Sequence, residues 1–118
     1  MTEDIRGALL AAQARTAARL AALERDFLSS IAAADTANTD DEHDPEGATI
    51  AFERQHVAAL IATARDQLRE LSDALVRLDE GSYGNCVRCG QGIGPERLAV
   101  RPAASLCIGC ASRADRGR

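Results

Sequence analysis

The chain has no tryptophan and only three aromatic residues, Phe27, Phe52 and Tyr83, among its 118 residues. That excludes a large aromatic core and leaves almost nothing on which nucleic-acid bases could stack. It also lacks lysine: all 14 basic residues are arginine, a bias with no evident functional reading. No apolar run approaches the roughly 20 residues needed to cross a membrane, and none follows the initiating methionine as a leader would. The expectation is a soluble cytoplasmic protein with reduced cysteines and no membrane partner. The formal net charge of −4 means that the overall field does not draw the protein to nucleic acid. Apolar residues make up 46% of the chain, but many are alanine, so bulk for a broad core is missing. Such a composition suits long helices in thin contact, together with a small unit stapled by a metal.

The helices are visible in the spacing. Thr2 can cap a helix whose first turn holds Glu3 and Asp4, which favour the positive end of the helix dipole. From Ile5 to about Ala34 there is no proline, and the only glycine is Gly7. Ile5, Leu9, Ala12, Thr16, Leu20, Leu23, Phe27 and Ile31 form one apolar stripe, slipped once between Thr16 and Leu20. A second helix is predicted to start at Asp44-Pro45-Glu46, a capping acid followed by proline at the first helical position. It should end near Glu80, before Gly81. Its seam, Val57, Ile61, Ala64, Leu68, Leu71, Leu75 and Leu78, alternates steps of four and three as a heptad does. Two helices of about 30 residues, each roughly 45 Å long at 1.5 Å per residue, can cover one another's stripes as an antiparallel hairpin. The alternative is pairing with a second chain; the single connecting loop favours the hairpin and a monomer.

That loop, residues 35–47, holds Asp35, Asp40, Asp41, Glu42, Asp44 and Glu46 and no basic residue. An acidic run is more often a solvated turn than a site. His43 within it reads as a solvated histidine, with metal binding the lesser alternative.

All four cysteines fall between Tyr83 and Cys110, as Cys86-x2-Cys89 and Cys107-x2-Cys110 with 17 residues between the pairs. Each two-residue spacing lets one tight turn aim two sulfurs at one ion, and two turns complete a closed tetrahedral Zn²⁺ site. Gly90 follows the first pair and Gly109 lies inside the second, where positive φ would help backbone N–H groups face the sulfurs. Two disulfides would need an oxidising compartment, and a redox Cys-x-x-Cys would need a βαβ context that is not visible. The expectation is one structural Zn²⁺ per chain, held by Cys86, Cys89, Cys107 and Cys110. Gly94 to Leu98 reads as a short helical turn, with Leu98, Val100 and Leu106 filling a small core beside the metal. A short terminal helix should follow Cys107, and residues 111–118 should fray. The expected partition is thus a mostly α chain: a coiled-coil hairpin over 1–80, then a four-cysteine zinc-finger unit with its terminal helix over 81–118.

The pattern Gly81-x-Tyr83-Gly84-x-Cys86-x2-Cys89-Gly90, Ile93, Arg97-Leu98-x3-Pro102 and Cys107-x2-Cys110 resembles the signature of the DksA/TraR family of bacterial RNA polymerase-binding regulators. The helical hairpin ahead of it makes the chain similar to the longer, DksA-like members, without their extra N-terminal segment. The resemblance implies a non-enzymatic regulator that inserts its coiled coil into the secondary channel of RNA polymerase and acts through acids at the tip. The family tip carries Asp-x-x-Asp-x-Ala. Here Asp41 and Asp44 have that spacing, with Glu46 in place of alanine, while alignment on Asp44-Pro45 puts Gly47 at the second acid. Arg101 matches a basic position that family members use toward the alarmone ppGpp or the polymerase, whereas Glu70 and Ala111 stand at two others that are basic there. The resemblance therefore does not extend to an intact alarmone response.

Three other functions compete. A protein-interaction adaptor would use zinc only to staple the end of a coiled coil. A sequence-specific DNA-binding zinc protein would need a basic reading face, which is absent. A transcript-cleavage enzyme would need a catalytic constellation beyond the loop acids, and a four-cysteine zinc has no open position.

Overall fold

In this computed structural model residues 2–37 and 45–116 are described. They form four helices, α1 (Thr2–Ala37), α2 (Pro45–Glu80), α3 (Pro95–Val100) and α4 (Ile108–Arg116). The sheet content among the described residues is one isolated antiparallel bridge between Asn85 and Gly92.

The termini of α2 follow from its sequence. Pro45 is its first residue, where the missing N–H is no loss. At its other end Gly81 takes φ 83°, and its N–H donates to the Leu78 carbonyl at 3.3 Å. The Ser82 N–H reaches back to the Arg77 carbonyl at 2.9 Å. This pair of bonds is a Schellman cap, which satisfies carbonyls that the helix end would otherwise leave open. A Cβ at Gly81 would meet nothing within 4 Å, so only the backbone conformation demands glycine. Gly81→Ala is therefore expected to destabilise the fold by about 1–2 kcal/mol, the cost of the left-handed conformation. Urea unfolding should show this as a lower midpoint at unchanged slope; an unchanged midpoint would refute the assignment.

The ends of α1 differ from expectation. Thr2 is helical rather than a cap, and the helix continues through Asp35 to Ala37. Nothing between Ala34 and Ala37 is a breaker, and alanines carry a helix onward even where an acid sits against its dipole.

Packing divides the chain into two compact units, one of residues 1–14 with 68–118, the other of residues 15–67. In the first, Leu9, Leu71 and Ala74 are buried, with Ile5, Ala12, Leu75, Leu78, Tyr83 and Ala103 packed around them. Arg6 Nη1 pairs with Asp79 at 2.8 Å, and Gln13 Nε2 donates to Ser72 Oγ at 3.1 Å. Contacts that climb α1 while descending α2 make the helices antiparallel within this unit. In the second unit Ile61 and Ala64 are buried. Arg19 Nη2 donates to Gln67 Oε1 at 2.6 Å, and Arg65 Nη2 meets Glu24 Oε2 at 3.1 Å, again in antiparallel order. Phe27 and Ile61 line the same concavity there. Every residue of the expected α1 stripe and α2 seam is buried or half-buried. No helix among the described residues is long and apolar enough to cross a membrane.

Candidate metal centre

The site is assembled from a loop and a helix start. After the Schellman turn, Gly84 takes φ 89° and its carbonyl accepts the Ile93 N–H at 2.8 Å. Between them the chain doubles back: the Cys86 N–H donates to the Gln91 carbonyl at 2.7 Å, and the Gly90 N–H donates to the Cys86 carbonyl at 2.9 Å. Gly90, at φ 78°, closes this first cysteine turn as expected. The second pair is built differently. Cys107 directly precedes α4, and Cys110 lies in its first turn. The Cys110 N–H, one of the donors a helix start leaves free, points to Cys107 Sγ at 3.4 Å. Gly109 is thus helical and has no positive φ, contrary to expectation; a helix N-terminus presents N–H groups without left-handed backbone.

The four sulfurs of Cys86, Cys89, Cys107 and Cys110 lie within 4.8 Å of one another. Cys89 Sγ and Cys107 Sγ are 3.8 Å apart. A disulfide would require about 2.05 Å. Zn–S bonds of about 2.3 Å at tetrahedral angles place sulfurs about 3.8 Å apart, so the spacing fits zinc. Cys86 and Cys110 are buried, Cys107 is half-buried and Cys89 is exposed. Backbone hydrogen bonds at Cys107 and Cys89 hold the Cys86 pKa down at about 5. A backbone hydrogen bond at Cys110 likewise lowers that of Cys107. Burial, with the neighbouring thiols, pushes Cys110 up to about 11, against the pull of Arg113. Four thiolates in so small a space ionise together only with a cation among them, the condition that a divalent metal meets.

Around the cysteines Ile93 and Ala104 are buried with Cys86 and Cys110, and Leu98 and Leu106 pack against them. Val100, expected in this core, is 81% exposed. It lies two residues beyond Leu98 on α3, about 200° around the helix, and so faces away. The terminal segment expected to fray is helical through Arg116, in α4.

Arg77 ties the unit to the end of α2, and further contacts brace the unit internally. The Tyr83 hydroxyl donates to the Pro102 carbonyl at 2.7 Å, and burial raises its pKa. Arg77 Nη2 approaches the Ala103 and Ala104 carbonyls at 3.4 and 3.5 Å. Arg97 Nε donates to the Leu106 carbonyl at 2.9 Å, bracing the residue before Cys107. Arg113 Nη2 reaches Cys110 Sγ at 3.2 Å. By sequence alone Arg97 counts only as a signature residue, with no structural role, and Arg113 is not singled out. The signal for Arg113 is its place three residues after Cys110 in a predicted helix, hence on the same face.

Of the other expected site residues, the structure describes Arg101 and does not bring it to the metal. Arg101 is exposed just past α3, its backbone N–H on the Arg97 carbonyl at 2.7 Å. It lines, with Ile93, Pro95, Val100 and Ile108, an open cavity of about 530 Å³. Glu70 is exposed on α2 and Ala111 half-buried on α4. Asp41, His43 and Asp44 lie outside the described residues.

Residues 81–116 match the prokaryotic DksA/TraR C4-type zinc finger. Two curated relatives are the RNA polymerase-binding transcription factors DksA of Haemophilus influenzae and of Escherichia coli K12, 39% and 35% identical over 51 residues. Each match takes in 43% of this chain but spans only about a third of the relative, 35% and 34% of its length. The structure of transcription factor DksA2 from Pseudomonas aeruginosa is similar with a TM-score of 0.75 and 29% identity, over 98% of this chain and 83% of that one. The cofactor that the zinc-finger match and the clustered cysteines support is a structural zinc ion. Residues 81–116 thus form a DksA/TraR-type zinc finger, and with a DksA2-like fold over nearly its whole length the chain is similar to the DksA-like members of that family.

Proposed function

We propose that this protein is a non-enzymatic transcription regulator that binds RNA polymerase directly. The observation that carries the reading is the likeness to DksA2 across 98% of the chain, joined to a four-cysteine cluster of zinc geometry. Cys86, Cys89, Cys107 and Cys110 hold one zinc, which as a divalent cation ties the first cysteine turn to the start of α4. The segment between α1 and α2, with Asp41 and Asp44, enters the secondary channel and acts near the active centre. There carboxylates can meet Mg²⁺ or arginine side chains of the enzyme. Arg101, exposed on the zinc unit, contacts the polymerase or a nucleotide held against it. The protein works in the cytoplasm as a monomer and reads no DNA sequence. The 1–80 and 81–118 division marks the functional parts, shaft with tip and zinc unit.

Pull-down of the purified zinc-loaded chain with the host RNA polymerase tests this reading. Retention of the core enzyme is expected, together with altered output from a ribosomal promoter. A chain that carries zinc yet neither retains polymerase nor changes transcription would support the adaptor function instead.

A further inference from the structure

The four sulfurs are not held alike. Cys86 and Cys110 are 3% and 1% exposed, and Cys107 accepts the Cys110 N–H. Cys110 alone also receives a guanidinium, from Arg113, at 3.2 Å. Cys89 is exposed, and its sulfur lies 3.8 Å from Cys107 Sγ. Arg113 has no carboxylate partner among the described residues, so its charge is directed at the metal site. Four thiolates and one Zn²⁺ carry a formal charge of −2, and a cation beside one sulfur lowers that sulfur's tendency to leave or to attack an electrophile. Groups in this outer position commonly change metal affinity by about 10–100-fold.

We propose that Arg113 is a positioning residue that holds the Cys110 thiolate on zinc, so that the site opens from Cys89. This rests on zinc being held by the four cysteines. Opening starts when the exposed Cys89 sulfur separates from the metal. An electrophile then takes that sulfur: in alkylation by iodoacetamide a carbon–sulfur bond forms and iodide leaves. The Cys110 sulfur stays bound, buried and bonded to the guanidinium. Loss of Arg113 removes this difference. Arg113→Ala does not weaken α4 by propensity, because alanine is the best helix former, so faster metal loss would not come from a poorer helix.

The test uses the full zinc-loaded chain, with zinc counted first and release followed by a chromogenic chelator under limiting iodoacetamide. Peptide mapping identifies the first cysteine alkylated. The parent should react first at Cys89. Arg113→Ala and Arg113→Gln should release zinc about tenfold faster, with Cys110 alkylated alongside Cys89. Arg113→Lys, which keeps the positive charge, should recover part of the retention that the neutral Arg113→Gln loses. Helical circular dichroism should match the parent in all variants. A variant that fails to fold leaves the parent's alkylation order and the other substitutions to decide. First reaction at Cys110 in the parent, or release unchanged by Arg113→Ala and Arg113→Gln, overturns the proposal. A folded parent without one zinc per chain overturns the metal assignment as well.

Discussion

Cys86→Ser is expected to unfold residues 82–111 while leaving much of the helical circular dichroism in place. Cys86 is 3% exposed, and its backbone links the first cysteine turn through the Gln91 and Gly90 hydrogen bonds. The buried core around the site is only Cys86, Ile93, Ala104 and Cys110, with three half-buried neighbours. Two of those four are ligands, so the apolar contribution without metal is small. Structural zinc in small fingers contributes apparent binding energies of about 10–16 kcal/mol, far more than such a core supplies. Serine keeps the shape but not the thiolate, and the three sulfurs left behind bind zinc much more weakly. The helices α1 and α2 hold most of the described residues and are braced by Leu9, Leu71 and Ala74 and by Ile61 and Ala64. Chelation of the parent should reproduce the loss, and acid should too, because each departing ligand takes up a proton as pH falls. Proton spectra that keep dispersed signals from residues 82–111 in metal-free protein would show that the small core suffices alone.

The parts legible in the sequence are those governed by period or by local chemistry. The α1 stripe and the α2 seam were readable because burial on a helix repeats every three to four residues, and all fifteen positions are buried or half-buried. Pro45 and Gly81 were readable because their backbone limits are intrinsic. The cysteine spacing was readable because two residues between ligands close one turn. Where expectation and structure part, the deciding quantity is not local. Gly109 was expected at positive φ, yet α4 begins before it and supplies N–H groups by its dipole end. Val100 looked like core by composition, but its direction depends on where α3 starts, at Pro95. The roles of Arg77, Arg97 and Arg113 are not legible in the sequence, because their guanidinium groups serve carbonyls and a sulfur brought near only by the fold. The end of α1 at Ala37 rather than Ala34 reflects the weak stop signals in Asp35-Thr36-Ala37.

The second large effect concerns the segment between the helices. Replacing Asp41 and Asp44 together with asparagine is expected to leave helicity and polymerase binding nearly unchanged while abolishing most of the effect on transcription. Asparagine matches aspartate in size, and at position 44, directly before Pro45, it remains one of the best helix caps. Stability should therefore change little. Most contact area with polymerase would come from the helices and the zinc unit, neither of which is altered, so affinity should hold within a fewfold. The substitution removes two of the six negative charges in residues 35–47. A carboxylate near Mg²⁺ or an arginine interacts through its full charge in a site partly shielded from water, where charge-assisted bonds are roughly twice as strong as neutral ones. An amide cannot replace it. If the segment were only a solvated turn, its charge would be screened within about 10 Å at ordinary salt, and nothing should change. Binding is read by pull-down and output by transcription from a ribosomal promoter, each with the parent alongside. A double variant that binds and regulates as the parent does would refute a role for these two carboxylates. Loss of both binding and regulation would place them in the docking contact instead. Retained binding with lost regulation is the result that assigns the carboxylates to the active centre.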